Sequence, residues 1–263
     1  METTTLPHTD ALKEAPTTHP VHPLVRRRWS ARAFGEASIG DDELATLLEA
    51  AAWAPSAMNE QPWRFRHARR GTPAFDALWD LLKPGNQPWT RNAALLIAIS
   101  GVKHHARNEA PNASWQHDVG LATANLLLQA TGLGIHGHLM GGFDKERTQE
   151  HLGLDPEREE VVTILALGRI TDPETLEEPF RGRELAPRPA NRWKRSPFPF
   201  EPNMNRCRPA PQPNNDHGDR NDHHDQMGHR PGPQRSAVQG EAPDDQHRDR
   251  QLQAVRRGGR TGS

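Results

Sequence analysis

The sequence predicts an α+β fold, and two observations set its class and its extent. Helical and strand-like hydrophobic periods both occur, but they do not alternate regularly as in α/β proteins. The pattern stops near residue 202, since only ten of the 61 residues over 203–263 are hydrophobic, too few to bury a core. We therefore expect a mobile leader over 1–22, a folded domain over 23–202 and a disordered tail over 203–263.

Helices are predicted over four segments, which are 41–53, 74–82, 118–131 and 144–152. The first has apolar residues at the i, i+3, i+4, i+7 spacing of one helix face, and either Gly40 or Asp41 can cap it. The third is apolar on nearly every side, which predicts burial in a large core or between subunits.

Strands are predicted over 63–67, 93–100, 135–139 and 161–168. The second and fourth are continuous apolar runs typical of central strands, although a buried helical turn also fits 93–100. The segment 171–200 is rich in Pro and Arg but keeps six large apolar residues. It predicts an extended arm docked on another surface.

Composition and charge exclude several classes of protein. The single cysteine cannot form an intramolecular disulfide, and no apolar run approaches the ~20 residues of a membrane helix. A formal net charge of −1 argues against general nucleic-acid binding. The first 23 residues lack the apolar centre of a signal peptide. We therefore expect a cytoplasmic protein that binds neither nucleic acid nor membranes.

The first segment that could carry chemistry is Arg28–Phe34, with the sequence RWSARAF. Arg28 and Arg32 flank Ser30, and two planar guanidinium groups with a hydroxyl between them suit a phosphate group. A solvated basic turn ahead of a helix contains the same residue types. The segment alone therefore leaves both interpretations open.

Two further segments have a similar ambiguity. In the loop Pro55–Trp63, the amides of Asn59 and Gln61 each offer a donor and an acceptor, as the edge of a flavin pyrimidine ring requires. A rigid turn with local side-chain caps is the alternative for this loop. The pair Gly141-Gly142 precedes a predicted helix and lets main chain approach a ligand closely, although steric reasons also explain such pairs.

Together these segments resemble the nitroreductase family of FMN-dependent oxidoreductases. The family pattern Arg-x-Ser-x-Arg/Lys-x-Phe corresponds to Arg28–Phe34, and Pro-Ser-x-x-Asn-x-Gln-Pro-Trp corresponds to Pro55–Trp63. The turn Gly142–Asp144, the strand Val161–Gly168 and the segment Glu184–Arg188 are similar to later family segments in the same order. The three ordered matches carry the resemblance.

The resemblance extends over residues 23–200 and implies a three-layer fold, with a mostly antiparallel central sheet flanked by helices. It also implies a domain-swapped homodimer with one FMN in each of two interfacial sites. The apolar helix 118–131 would then form the dimer interface, and the arm 171–200 would wrap the partner subunit.

The resemblance implies eleven cofactor-binding residues, which are Arg28, Trp29, Ser30, Arg32, Pro55, Ser56, Asn59, Gln61, Gly141, Gly142 and Arg188. The arginines and serine of the first segment, together with Arg188, would hold the ribityl phosphate, with Arg192 as an alternative to Arg188. The loop residues would contact the flavin and ribityl chain, partly across the interface. The glycines would place amides near the flavin N5 and O4 edge.

The implied activity is a ping-pong reaction dependent on NADH or NADPH. Hydride passes from the nicotinamide to flavin N5 and on to a nitroaromatic, a quinone or another unsaturated acceptor. No protein nucleophile, general acid or metal site is predicted. The alternatives are a flavin storage or sensor protein of the same fold, and an arginine-rich interaction protein that acts through its tail.

Overall fold

The computed structural model describes residues 7–189, which contain eight helices and a four-stranded sheet. The helices are α1 (Pro7–Lys13), α2 (Pro23–Arg27), α3 (Asp41–Ala52), α4 (Pro73–Asp80), α5 (Gln87–Thr90), α6 (Trp115–Gly132), α7 (Lys145–His151) and α8 (Phe180–Leu185). The strands are β1 (Trp63–Arg69), β2 (Leu95–Val102), β3 (His136–Met140) and β4 (Glu159–Gly168). The predicted tail over 203–263 and Arg192 lie outside the described residues.

The sheet has the order β1-β2-β4-β3, and every neighbouring pair of strands is antiparallel. The two continuous apolar runs form the central strands β2 and β4, with Ile97 opposite Leu165. The register shifts between Ile99 and Ser100 of β2, where Val162 of β4 has no partner in the pairing, as in a β-bulge of β4. The antiparallel sheet flanked by helices confirms the predicted α+β class.

Helices cover both faces of the sheet. Because successive strand residues point to opposite faces, β2 supplies Leu95, Ile97 and Ile99 to one core and Leu96 and Ala98 to the other. The first core packs against α3 and α6, and the second packs against α4 and α5. The result is a three-layer arrangement, as expected.

The long helix α6 buries only one face within a single chain. Val119, Ala122 and Leu126 are buried on the sheet, whereas Ala124 is exposed and Leu128 is half-buried. The helix that is apolar on nearly all sides therefore keeps an uncovered apolar face. Among the helices of residues 7–189, none has the length and apolarity needed to cross a membrane.

The structure corrects the expected mobile leader over 1–22, because α1 lies within it and packs on the domain. Asp10 accepts a hydrogen bond from Trp29 Nε1 at 3.1 Å and lies 3.1 Å from His136 Nε2. Lys13 donates from Nζ to the carbonyls of Arg183 and Ala186. The hydrophobic pattern could not reveal this helix, since it docks through polar contacts.

The arm over 171–200 is not simply extended, because it contains a 3₁₀ turn at Pro173–Thr175 and helix α8. Glu184 on α8 is buried and accepts hydrogen bonds from the main-chain N–H groups of Arg32, at 2.7 Å, and Ala33, at 3.0 Å. The described part of the arm thus docks on its own chain. Its expected contact with a partner subunit stays a prediction for the residues beyond 189.

The other predicted helices and strands lie within a few residues of their expected bounds. At the start of α3 the cap is Gly40, whose N–H donates to Glu43 Oε2 at 3.0 Å, and Asp41 is the first helical residue. The segment 93–100 forms a strand rather than a helical turn. The short helices α2, α5 and α8 were not predicted.

Candidate functional site

Segments distant in sequence meet around a cavity of about 350 Å³. Its polar lining consists of Lys13, Arg28, Ser30, Arg183 and Arg188, and its apolar wall of Trp29 with the chain at 186, 187 and 189. Four of these side chains are cations, and no acidic residue within the described chain lines the cavity. The cavity therefore has the charge of an anion-binding site.

At the cavity, Arg188 contacts the main chain at the start of the Arg28–Phe34 segment, which is called the first motif below. Arg188 donates from Nη1 to the main-chain carbonyls of Arg28 at 2.9 Å and Arg26 at 3.3 Å. Its own N–H donates to the carbonyl of Leu12 at 3.1 Å. Burial lowers the pKa of Arg28, and the neighbouring Arg188 charge lowers it further. Two cations held this close favour an anion between them.

Trp29 forms a wall of the cavity rather than a hydrogen-bonding group. Its side chain is buried and its Nε1–H donates to Asp10, so it has no donor left for a ligand. The ring of Trp29 packs edge-on against His136 with centroids 5.6 Å apart. Trp29 thereby links the first motif to β3 and α1.

Arg32 lies behind the cavity, where it stacks on Trp89 with its guanidinium carbon 5.7 Å from the ring centroid. Burial lowers the pKa of Arg32, Glu184 raises it and Arg183 lowers it. The ring of His138 lies on Trp89 at 4.5 Å, and its Nδ1 lies 3.0 Å from the carbonyl of Ala31. Trp89 and His138 therefore pack against the Arg28–Phe34 segment through the side chain of Arg32 and the carbonyl of Ala31.

His138 is held in its neutral form. Burial lowers its pKa to about 4, and the nearby Arg32 charge acts in the same direction. The sequence pattern assigns no role to His138, and it also assigns none to Glu184 and Trp89. The position of Glu184 within the family-like segment Glu184–Arg188 was the one signal in the sequence that pointed to it.

The loop after α3 has a strained main chain. Met58, Asn59 and Gln61 have φ values of 55°, 57° and 48°, a region that costs a residue with a side chain about 1–3 kcal/mol. The loop is held by hydrogen bonds from Gln61 N to Ser56 Oγ and from Gln61 Nε2 to Asn59 Oδ1, both 3.0 Å. Such strain persists only where the surrounding structure enforces it.

Two acidic side chains anchor this loop. Asp118 on α6 accepts from the N–H of Ala57 at 2.9 Å, and Glu60 accepts from the N–H of Ala106 at 2.9 Å. Met58 at the tip is 66% exposed, and Trp53 before the loop is 80% exposed. Pro55, Ser56, Asn59 and Gln61 are absent from the lining of the cavity among the residues described.

The glycine pair follows β3, the strand whose His138 reaches the first motif. A Cβ atom added at Gly142 would lie 2.7 Å from Nδ2 of Asn86. The same Nδ2 donates a hydrogen bond to the main-chain carbonyl of Gly142 at 2.9 Å. The steric interpretation therefore applies to Gly142. Gly141 is exposed, and a Cβ atom added there would meet no atom of the described chain within 4 Å, so its main chain is open to a ligand.

The fold and the cavity define an α+β protein with a cavity lined by cations. The model of the Nitroreductase family matches residues 25–83 and 68–169, which together cover more than half of the chain. The chain belongs to the nitroreductase family.

Similar proteins agree with this assignment. A protein of Archaeoglobus fulgidus named "Putative NADH dehydrogenase/NAD(P)H nitroreductase" is 31% identical over 152 residues, which cover 55% of this chain and 82% of that protein. An NADH dehydrogenase of Thermus thermophilus is 32% identical over 174 residues, which cover 54% of this chain and 82% of that protein. A solved structure described as an oxidoreductase containing FMN is 37% identical with a TM-score of 0.63, covering 67% of this chain and 90% of that one.

Proposed function

We propose that this protein is an FMN-dependent oxidoreductase that uses NADH or NADPH to reduce a nitroaromatic, a quinone or another unsaturated acceptor by a ping-pong cycle. The observation that carries the proposal is the cavity lined by four cations around the Arg28–Ser30 segment. The names of the similar proteins, which include an NAD(P)H nitroreductase and an oxidoreductase containing FMN, support the same activity.

The donor set of the cavity fits the phosphate of FMN. A phosphate monoester carries close to two negative charges at neutral pH, and arginine binds it through a planar fork of N–H groups. Arg28 and Arg188 supply such forks and Ser30 supplies a hydroxyl, all within one lining. Arg32 adds charge from behind, where Trp89 and Glu184 hold it.

We propose a homodimer in which a second copy completes each site. The uncovered face of α6, which includes Leu121, Ala124 and Leu128, is suited to pack against the same face of another chain. The strained loop lies outside the lining of its own chain's cavity, as expected if Pro55 and Ser56 pack at the flavin of the partner's site.

When bound, FMN supplies the redox chemistry, since its ring takes up hydride from a nicotinamide and gives it to a second substrate. The chain's own residues bind and orient. The cations hold the phosphate end, the open main chain of Gly141 offers an N–H to the ring edge, and Asn59 and Gln61 offer amide groups from the loop. Because the phosphate anchor and these amides act at opposite ends of the cofactor, they limit its rotation in the site.

The test of the proposed function is reduction of the purified protein. The full-length protein should be yellow or should become yellow on addition of FMN, and NADH or NADPH should bleach it under anaerobic conditions. A screen of nitroaromatics and quinones then identifies the acceptor that restores the colour. A protein that takes up no FMN contradicts the proposal, and a yellow protein that neither nicotinamide bleaches indicates flavin storage or sensing instead.

The remaining expectations stay predictions. These are the FMN-binding domain over 23–202, the cytoplasmic location and the exchange of arms between subunits. The alternative that the tail is the functional part concerns residues outside those the structure describes.

A further inference from the structure

The amino-terminal helix α1 supplies a lysine to the cavity that none of the three motifs contains. Lys13 is only 7% exposed and lines the cavity together with the Arg28–Ser30 segment. Its Nζ donates to the carbonyl of Arg183 at 2.8 Å and to that of Ala186 at 2.6 Å. Since an ammonium group has three donors, one N–H of Lys13 remains after these two hydrogen bonds.

Helix α1 is held firmly enough to position this ammonium. Asp10, one turn before Lys13, accepts from Trp29 Nε1 and contacts His136 on β3, and the His136 contact lowers the pKa of Asp10. The carbonyl of Leu12 accepts the N–H of Arg188. Lys13 itself lies 5.4 Å from the centroid of the Trp29 ring. Three separate parts of the chain therefore fix where its Nζ lies.

The charges around Lys13 are incompletely balanced. Burial lowers its pKa, Glu184 raises it and Arg32 lowers it. Glu184 already accepts the N–H groups of Arg32 and Ala33, and within the described chain the cavity lining holds four cations and no acid. An anion in the cavity would remove the repulsion among these cations, and Lys13 has a donor left to bind it.

We propose that Lys13 is a phosphate ligand, which donates its third N–H to the phosphate of FMN. The other two N–H groups hold the arm at the cavity through the carbonyls of Arg183 and Ala186. This inference rests on the proposed function, because FMN is the phosphate ester it names. It predicts that Lys13 contributes to the preference of the protein for FMN over riboflavin, which has the same ring and ribityl chain but no phosphate. Helix α1 then belongs to the cofactor site.

The test compares Lys13→Met and Lys13→Gln with the unchanged full-length protein, each freed of bound flavin. Dissociation constants are measured for FMN and for riboflavin by quenching of flavin fluorescence. Gln keeps an N–H donor for the arm but lacks the charge, so it separates the two roles of Lys13. Lys103→Met is the matched control, because Lys103 also donates to a main-chain carbonyl, that of Pro156, but lies outside the cavity lining.

We expect both Lys13 variants to bind FMN at least about tenfold more weakly, because a charged hydrogen bond to the phosphate is lost. Their dissociation constants for riboflavin should equal that of the unchanged protein. Lys103→Met should change neither constant. Equal weakening of FMN and riboflavin binding, or full recovery in Lys13→Gln, would show that Lys13 only holds the arm and would overturn the inference.

A second measurement distinguishes failure of this inference from failure of the proposed function. Binding of inorganic phosphate to the flavin-free protein is followed by calorimetry. If the unchanged protein takes up no FMN, the proposed function fails, but phosphate binding that disappears in Lys13→Met still supports Lys13 as an anion ligand. If the unchanged protein binds neither FMN nor phosphate, both proposals are wrong.

Discussion

Arg188 donates from Nη1 to the main-chain carbonyl of Arg28 at 2.9 Å, which joins two segments separated by 160 residues of sequence. With the second bond, to the carbonyl of Arg26, the contact engages Nη1 of the guanidinium and leaves the N–H groups of Nε and Nη2 for a ligand. It also places two cations side by side, and the charge of Arg188 lowers the pKa of Arg28. Arg188 therefore both joins the two segments that line the cavity and contributes to the positive charge of the cavity.

Arg188→Met should lower FMN affinity by about 10- to 100-fold, because it removes a charged donor and the tie to Arg28 together. Binding of FMN to the flavin-free protein, followed by fluorescence, measures this. The matched control is Arg181→Met on the same arm, since Arg181 lies outside the cavity lining and pairs only with Glu174 and Glu178 among the described residues. Equal affinities for the two variants would remove Arg188 from the site and leave Arg192 as the alternative.

Glu184→Ala should lower the free energy of unfolding by about 2–4 kcal/mol, because the buried N–H groups of Arg32 and Ala33 lose their acceptor. Glu184→Gln, which keeps one oxygen, should cost less. Urea unfolding measures both changes. Glu177→Ala, at an exposed position before the same helix, should change the free energy by less than about 0.5 kcal/mol. If Glu184→Ala lost no more free energy of unfolding than Glu177→Ala, the carboxylate of Glu184 would not stabilise the main chain at Arg32 and Ala33.

The stability of the protein should fall on acidification because of His138. Its pKa is 6.5 in a solvated reference state and about 4 in the folded protein. The unfolded chain therefore binds the proton first, and the contribution of His138 is complete above pH 6.5 and is lost as pH falls toward 4. The full loss is about 3 kcal/mol.

His138→Asn tests this pH dependence, since Asn keeps a donor for the carbonyl of Ala31 but does not titrate. Urea unfolding of the flavin-free variant and of the unchanged protein at pH 7, 5.5 and 4.5 gives the two slopes. The unchanged protein should lose more stability on acidification than the variant does. Identical slopes would mean that His138 is protonated as readily in the folded state as in the unfolded state.

Ala124→Glu should convert the proposed homodimer to a monomer, because it places a charge at the centre of the uncovered apolar face of α6. It should leave the fold of each chain intact, since Ala124 is exposed within one subunit. Light scattering gives the mass in solution. Ala45→Glu makes the same change on the exposed side of α3 and should leave the dimer intact. An unchanged protein that is monomeric at micromolar concentration would contradict the homodimer.

The predictability of the helices depends on their length and on a recognisable cap, since α7 has only seven residues but Asp144 marks its start. The segments 41–53 and 118–131 are long enough to show a helical period, and the structure has α3 and α6 there. Helices α1, α2, α5 and α8 have seven residues or fewer, too short to be stable alone, and depend on packing for their stability. Lys13 and Glu184 lie in two of these short helices, which is why sequence reasoning missed both.

By itself the sequence determined the α+β class, the central strands and the order of three segments that resemble the family, because these depend on local periodicity and on residue types at short spacing. Only the tertiary structure decided which charges meet. Lys13 and Arg28 belong to separate segments near the start of the chain and Arg188 lies 160 residues after Arg28, so no local pattern encodes their encounter. The pKa of His138 was likewise set by burial beneath the motif, a property of the folded chain alone.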